Sequence, residues 1–226
     1  MDDPSAAPPG TDRPLRSDAR RNREALLAAA ATAFARDGLE APLESIAKTA
    51  GLAIGTLYRH FPTRLDLVQA VFENKFTAWV AAAEEAVAAD DPWAGFARYL
   101  EAMCELQADD RGMNDLASMR LPLSDYIDEQ ILHIRELARQ AMQRAQDEGM
   151  LRADVTPEDL AFVIWSHSRI AAATRDVRPD AWRRHLYLLL DALRADSAHP
   201  LPVPALSEKE LRQAMTNLGS GTACAE

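Results

Sequence analysis

The sequence contains little cysteine and no long uninterrupted hydrophobic segment. Its two cysteines, Cys104 and Cys224, lie far apart in a chain of 226 residues and lack metal-site spacing. No disulfide framework is therefore expected, and a reducing compartment such as the cytoplasm is favoured. The longest apolar segment, residues 161–173, is interrupted by Arg169 and is too short to cross a bilayer. The first residues, MDDPSAAPPGTDRPLRS, have no apolar core, so neither a signal peptide nor membrane association is expected.

The sequence also lacks the residue patterns of common catalytic sites. It has no glycine-rich phosphate loop, no Gly-x-Ser-x-Gly motif, and no His-Glu-x-x-His motif among its five histidines. Glu129 and His133 lie four residues apart on one predicted helix, which is a weak signal for a metal and the one feature that favours an enzyme. We therefore predict no catalytic residue, no metal and no cofactor.

Strand-like alternation is also absent, and apolar residues instead recur at steps of three and four. This pattern predicts an all-α protein of about nine helices. Residues 1–17 are predicted to form a disordered arm. A Pro-rich linker at 196–206 precedes a possible short helix at 207–218 and a disordered end. The nine helices are predicted at residues 18–38, 43–50, 54–60, 63–89, 92–108, 112–120, 124–148, 156–174 and 179–195.

The charge is unevenly distributed along the chain. The net charge is −10, which argues against a general nucleic-acid binder. Residues 11–64 nevertheless hold nine basic and six acidic side chains, whereas residues 65–226 hold sixteen basic and twenty-seven acidic ones. A mildly basic end on an acidic body suits a protein that presents one end to a polyanion, although local fluctuation would explain the same pattern.

The segment GLAIGTLYRHF, residues 51–61, has the composition of a helix that contacts another molecule. It follows two predicted helices after a glycine turn, as in a helix-turn-helix motif. Leu57 and Phe61, four residues apart, are predicted to face inward. The outer face then carries side chains that donate hydrogen bonds to phosphates or base edges. These outward side chains are Thr56, Tyr58, Arg59 and His60.

From about residue 19 to 66 the sequence resembles the DNA-binding domain of TetR-type transcriptional regulators. The family pattern of a helix ending in Phe and Gly, then Ala-Gly, then Gly-Thr-Leu-Tyr-x-His-Phe, matches in residue type and spacing. The resemblance implies a DNA-binding domain over 18–64, with its motif at about 42–61, and a ligand-binding and dimerisation domain over 65–195. Ala53 stands where the family often has Ser, which removes an N-cap worth about 1 kcal/mol. Thr63-Arg64 stands where the family often has Ser-Lys.

The resemblance also implies individual DNA contacts. Backbone-positioning contacts are implied for Ser45, Thr56, Tyr58, His60 and Arg64. Base-facing positions are implied for Ile54, Gly55 and Arg59. Additional phosphate or minor-groove contacts are implied for Arg13, Arg16, Arg20 and Arg21. Alternatives stay open at three of these places, because Tyr58 could be partly core, His60 could cap its helix, and the arm arginines could be solvated.

The last two helices of the body, and its middle helices, indicate two further binding regions. The segments 161–165 and 185–194 are apolar nearly all round, so they are predicted to bury one face inside and another against a second copy. A monomer with a thick core is the alternative. The predicted dimer-interface residues are Trp182, Leu186, Leu189 and Leu193. The predicted effector-pocket residues are Phe96, Tyr99, Met103, Met119, Arg120, Phe162, Trp165 and His167, although a satisfied core histidine is the more common explanation of a residue such as His167.

These observations together predict a bacterial, cytoplasmic, nucleoid-associated regulator that binds double-stranded DNA as a homodimer at a palindromic operator. The main hypothesis is a repressor that a small-molecule effector of unknown identity releases from its operator. The alternative is a DNA-binding activator or architectural protein without a small-molecule effector.

Overall fold

The computed structural model describes residues 12–118, 125–196 and 198–221. Within these ranges the chain forms ten α-helices and one 3₁₀ turn, and it contains no β-strand, so the all-α prediction is confirmed. None of these helices is both long enough and apolar enough to span a membrane. The α-helices are α1 (Asp12–Asp37), α2 (Leu43–Thr49), α3 (Ile54–His60), α4 (Arg64–Ala88), α5 (Pro92–Ala108), α6 (Arg111–Ser118), α7 (Asp125–Asp147), α8 (Leu160–Thr174), α9 (Ala181–Leu193) and α10 (Glu208–Gly221), and the 3₁₀ turn is Pro157–Asp159.

The first helix begins earlier than the sequence predicted. α1 starts at Asp12, so the end of the predicted arm 1–17 is helical, while residues 1–11 lie outside the described residues. Pro14 occupies the first turn, where its missing N–H has no intrahelical acceptor in any case, so it permits the extension. At the other end of the chain, the short helix predicted at 207–218 is present as α10.

Local sequence signals set several helix ends. Gly38 has φ +83°, and its N–H donates to the Phe34 carbonyl at 2.9 Å, so it terminates α1 in the left-handed conformation. Thr63 and Asp66 form a reciprocal capping box at the start of α4. Ala53 makes no side-chain cap at α3, as the missing Ser predicts.

One continuous apolar core connects the N-terminal helices to the body. Phe34 of α1 stacks on Phe72 of α4 with ring centroids 6.3 Å apart, and Phe76 stacks on Trp79 one turn further along. α4 therefore contacts α1 with its first turns and packs against α5 and α7 with its later turns. α8 packs against α9 on the other side of α5. The long helix α4 thus joins the two halves of the molecule.

Candidate nucleic-acid interface and ligand region

α2 and α3 are joined by a tight turn that fixes the orientation of α3. Gly51 has φ +71°, and the Leu52 N–H donates to the Ala47 carbonyl at 2.9 Å. Leu57 is fully buried and Phe61 nearly so, which fixes one face of α3 against the core as the sequence predicted. The opposite face of this seven-residue helix is consequently directed to solvent.

The exposed face of α3 carries the predicted base-facing residues. Gly55, Tyr58 and Arg59 are exposed at the i, i+3, i+4 spacing of one helical face, and Ile54 and Thr56 flank them half-buried. Tyr58 is 47% exposed, so about half of its surface is open to another molecule. Ser45, on α2, is also exposed.

None of the described residues requires a glycine at position 55. A Cβ placed there would meet no atom within 4 Å, and its φ is not in the left-handed region. Gly112 differs, because a Cβ there would lie 2.8 Å from Phe72 Cζ. Internal packing therefore explains the glycine at 112 and does not explain the glycine at 55.

His60 lies half-buried at the end of α3. Its Nε2 is buried and has no hydrogen-bond partner among the described residues. The α3 C-cap bond is made instead by the Phe61 N–H, which donates to the Leu57 carbonyl at 2.8 Å. This arrangement leaves an imidazole nitrogen that needs a partner beside the exposed face of α3.

The predicted arginine contacts differ in how they are used within the chain. Arg64 donates through Nη1 to the carbonyls of Leu39 and Ala41, both at 2.7 Å, so its guanidinium secures the α1–α2 turn. The Nε of Arg20 lies 3.6 Å from Oε1 of Glu24, and Arg21 forms an ion pair with Asp18. Both of these arginines are exposed on α1, where such pairs are weak and exchange readily with other anions. The side chains of Arg13 and Arg16 lie outside the described part of the structure.

Sequence analysis missed Arg23, which also bears on this domain. Its guanidinium lies over the Phe61 ring, 5.3 Å from the centroid. Cation–π contacts of this kind favour a fixed arrangement of the two elements that carry them. Arg23 thus connects α1 to the end of α3. Arg23 and Phe61 are far apart in sequence, and no local pattern around either residue predicts their contact.

The predicted effector-pocket residues divide into an inner and an outer group. The inner group, which is buried in the core, comprises Phe96, Tyr99 and Met103 on α5 and His167 on α8. Phe162 is 47% exposed on α8, and its ring meets the half-buried Trp165 edge-on at 5.6 Å. The assignment of Phe162 to an internal pocket is therefore wrong for this arrangement, because α8 turns that residue to solvent. Met119 and Arg120 lie outside the described residues.

His167 is buried without a hydrogen bond. It is 1% exposed, lies edge-on to Trp182 at 5.1 Å, and neither ring nitrogen has a partner among the described residues. Its pKa is lowered to about 4, mainly because burial disfavours the charged ring; the Cys104 backbone raises the pKa without reaching hydrogen-bond geometry, and the nearby His185 lowers it. The ring is therefore neutral at pH 7, with one donor and one acceptor unused. A satisfied core histidine is not what the structure contains.

An open groove lies on the surface between α4, α5 and α9. Its volume is about 430 Å³, and of the predicted pocket residues it is lined only by Tyr99. Arg183 forms an ion pair with Glu101 in this groove and a second with Glu105 at 2.8 Å. The groove is thus charged and internally paired, unlike the apolar region around His167.

The predicted dimer residues also divide between two faces of α9. Trp182 and Leu186 are buried in the core of the protomer itself, so they are not available to a second copy and their assignment to an interface is wrong. Leu189 and Leu193 are half-buried. Tyr187 and Leu188 are exposed, by 53% and 57%. Because α9 is apolar nearly all round, the sequence did not show which of its faces points inward.

Comparisons with known proteins agree with the geometry of both halves. The model described as bacterial regulatory proteins, tetR family, matches residues 26–71, which span the later part of α1, all of α2 and α3, and the first turns of α4. The model described as the C-terminal domain of SbtR-like transcriptional regulators matches residues 91–195. None of the curated proteins compared with this chain matches it.

Solved structures provide more extensive matches. The chain is 31% identical to a TetR transcription regulatory protein from Mycobacterium vanbaalenii, over 80% of this chain and 99% of that one, with a TM-score of 0.49. It is 29% identical to a TetR transcriptional regulator from Streptomyces coelicolor, over 78% and 99%, with a TM-score of 0.51. A ketosteroid transcriptional regulator of Mycobacterium tuberculosis shares the fold, at 22% identity over 76% and 94% and a TM-score of 0.57. With both domain models matched in the expected order, this chain belongs to the TetR family of bacterial transcriptional regulators and carries that family's helix-turn-helix DNA-binding domain.

Proposed function

We propose that this regulator is a homodimeric, sequence-specific repressor that leaves its operator when a small molecule binds in the body. The observation that carries the DNA-binding part is the exposed face of α3. Tyr58 and Arg59 project from this face. Gly55 lies nearer the start of the helix, at a position where packing against the described residues would also accept a larger side chain. A slim position beside hydrogen-bond donors lets the helix backbone approach base edges closely.

In this proposal the residues of α3 divide by role. Arg59 donates to a base edge, because a guanidinium pairs with guanine in bidentate fashion. Tyr58 and His60 position the helix by donating to phosphates, which for His60 requires the ring to turn and bring its buried, unpartnered Nε2 to the surface. Thr56 and Ser45 add phosphate contacts, Ile54 lies against the bases, and the exposed Arg20 and Arg21 exchange their acidic partners for phosphates.

The exposed apolar residues of α8 and α9 supply the proposed dimer surface. Phe162 on α8, with Tyr187 and Leu188 on α9, are large side chains that the protomer leaves exposed on two helices that pack together. A two-fold pairing of these helices places two α3 helices at a fixed separation, which matches a palindromic site. Leu189 and Leu193, half-buried beside them, extend the surface.

The region around His167 supports the effector part of the proposal. Two unpaired ring nitrogens in an apolar core each cost about 1–3 kcal/mol, and a ligand with a hydroxyl or carbonyl group would remove that cost. Phe96, Tyr99 and Met103 would cover its apolar part. The related protein from Mycobacterium tuberculosis is a ketosteroid regulator, and by analogy a flat apolar molecule with few polar groups suits this chain.

The direct test of DNA binding is selection from random duplex DNA by the purified protein. The proposal predicts enrichment of a palindrome whose half-sites are one or two helical turns apart. The double variant Tyr58→Ala, His60→Ala should then bind the selected duplex about 100-fold more weakly, with helicity and dimer content unchanged. The matched control is Arg178→Ala, an exposed arginine far from α3 in sequence.

The DNA selection and the double variant test different parts of the proposal. If no sequence is enriched at moderate salt, specific recognition by the ligand-free protein is wrong. If a palindrome is enriched but the double variant binds it as tightly as the wild type, the α3 contacts are assigned to the wrong side chains. A specific site whose binding no added small molecule alters would favour the regulator without an effector.

A further inference from the structure

The start of α6 lies where the helix-turn-helix domain meets the body, and several of its polar groups bond across that boundary. The Arg111 guanidinium donates to the Arg36 carbonyl at the end of α1, at 3.1 Å. Asp110 caps α6 by accepting from the Met113 N–H at 2.9 Å, and its second oxygen pairs with Lys75 of α4. We refer to Asp110, Arg111 and Asp115 as the α6 junction.

The most specific contact of the α6 junction is made by Asp115. Its Oδ2 accepts a hydrogen bond from the Leu39 N–H at 2.9 Å, although the two residues are 76 positions apart in sequence. The carbonyl of the same Leu39 accepts from Arg64 at 2.7 Å. One turn residue between α1 and α2 is therefore bonded on its N–H by α6 and on its C=O by α4.

Gly38 shows how closely the carboxylate approaches this turn. Its φ of +83° already disfavours any other residue, and a Cβ there would lie 2.5 Å from Asp115 Oδ2. The turn and the carboxylate thus fit together only with glycine at 38. The turn therefore lies directly against the Asp115 carboxylate of α6.

The hydrogen bond between Asp115 and the Leu39 N–H requires a partly buried carboxylate, and removing a carboxylate from water costs free energy. Desolvation raises the pKa of its carboxyl, with Glu40 and Asp110 acting in the same direction, while the Leu39 N–H and the charge of Arg111 lower it. The residue is acidic and faces the turn, so it is unsuited to contact DNA itself. Local packing of α6 gives no reason for an acid here, because the inner face of α6 is formed by Met113 and Leu116 in the apolar core.

We infer that Asp115 is a positioning residue for DNA recognition: through the Leu39 N–H it fixes the α1–α2 turn, and with it α2 and α3, to the body. α6 contacts α1 on one side and α5 and α8 on the other, so a displacement of α6 changes the turn and the body together. Arg64 bonds the same turn through the carbonyls of Leu39 and Ala41, so the turn is fixed from two sides. A displacement of α6 therefore changes the orientation of α2. The expected effect on operator binding rests on the proposed function, whereas the coupling between α6 and the α1–α2 turn does not.

Hydrogen–deuterium exchange on the full-length protein tests the coupling without DNA. Asp115→Ala should raise exchange of the Leu39 amide by about tenfold and also raise exchange in residues 40–52, because one hydrogen bond of about 1–1.5 kcal/mol is lost. Asp115→Asn, which keeps an acceptor oxygen in the same place, should restore most of the protection. The control Asp109→Ala, an exposed acid near the same boundary, should leave exchange unchanged.

The second readout is affinity for the DNA duplex that the wild type selects. Asp115→Ala should weaken it threefold to tenfold and Asp115→Asn by less than twofold, with affinity for unrelated DNA unchanged. If Asp115→Ala does not fold, Asp115→Glu takes its place, since it keeps the charge and displaces the oxygens. Unchanged exchange at Leu39 in a folded variant, or equal effects of Ala and Asn, would overturn the inference. Absence of any selected duplex would refute the proposed function and leave the exchange result to decide the coupling.

Discussion

The helix-turn-helix domain and the body differ in how their helices divide inside from outside. In α3 and its C-cap, the buried residues Leu57 and Phe61 are directed inward, and Tyr58 and Arg59 are exposed. In α9 the buried residues Trp182, Leu186 and Leu190 share the helix with Tyr187 and Leu188, which are apolar and exposed. A helix with apolar residues on one side only shows in its sequence which face is buried and which is free to bind another molecule. A helix that is apolar on all sides does not show which face is which, although it does show that a second apolar surface must cover it.

The largest effect is expected from a charge on the exposed apolar face of α9. Leu188→Asp should convert the proposed dimer to monomers at micromolar concentration, because an unpaired carboxylate buried in an interface costs several kcal/mol. Sedimentation equilibrium measures the change, and the helical content should stay that of the wild type. Val177→Asp, at an exposed position outside the helices, is the control. A dimer that tolerates Leu188→Asp would place the interface on another surface.

The buried His167 predicts an intermediate effect, on stability against pH. Its folded pKa of about 4 lies below the unfolded value of 6.5, so its contribution to stability is complete above pH 6.5 and is lost as pH falls towards 4. The loss should be about 2 kcal/mol after allowance for solvent screening. Urea unfolding at pH 7 and pH 4.5 measures it, and His167→Leu should reduce the difference while the exposed His199→Gln should not. An equal pH dependence in all three proteins would show that His167 is not buried in solution.

A pair of glycine substitutions gives the smallest and most selective effect. Gly55→Val should leave the free energy of unfolding within about 0.5 kcal/mol, because a Cβ there meets no described residue within 4 Å. It should weaken binding to the selected duplex about tenfold, because the added side chain would lie in the proposed DNA interface. Gly112→Ala should do the reverse, lowering stability by about 1–3 kcal/mol through its collision with Phe72. Chemical unfolding and fluorescence anisotropy separate the two. Loss of stability in Gly55→Val would mean that position 55 is needed for internal packing.

Most of the fold followed from short-range patterns in the sequence. Thr63 with Asp66, Thr156 with Asp159, and Gly38 each set a helix end through residues close in sequence, and the predicted boundaries agree with the structure there. The predicted start of α1 was wrong, because the arm was predicted to extend to residue 17 whereas the helix begins at Asp12 with Pro14 in its first turn.

The site was predictable only where its contacts are local. The inward and outward residues of α3 follow from a spacing of four, so the candidate DNA contacts could be named in advance, and they stay predictions. Arg64 bonds to the carbonyls of Leu39 and Ala41, and Asp115 bonds to Leu39 from a distant part of the chain. No periodicity indicates such pairs, because they depend on how α4 and α6 pack on α1. For the same reason, the inner face of α9 and the exposure of Phe162 could not be derived from their neighbours.

The central claim is that the exposed face of α3 recognises DNA sequence. The most direct measurement compares wild type and Arg59→Ala for affinity to the selected duplex and to each of its single base-pair variants. The account predicts that Arg59→Ala loses discrimination at one position of each half-site, worth about 1–3 kcal/mol, and keeps it at the others. An unchanged preference at every position, whether or not the overall affinity falls, would contradict base recognition by Arg59 from α3.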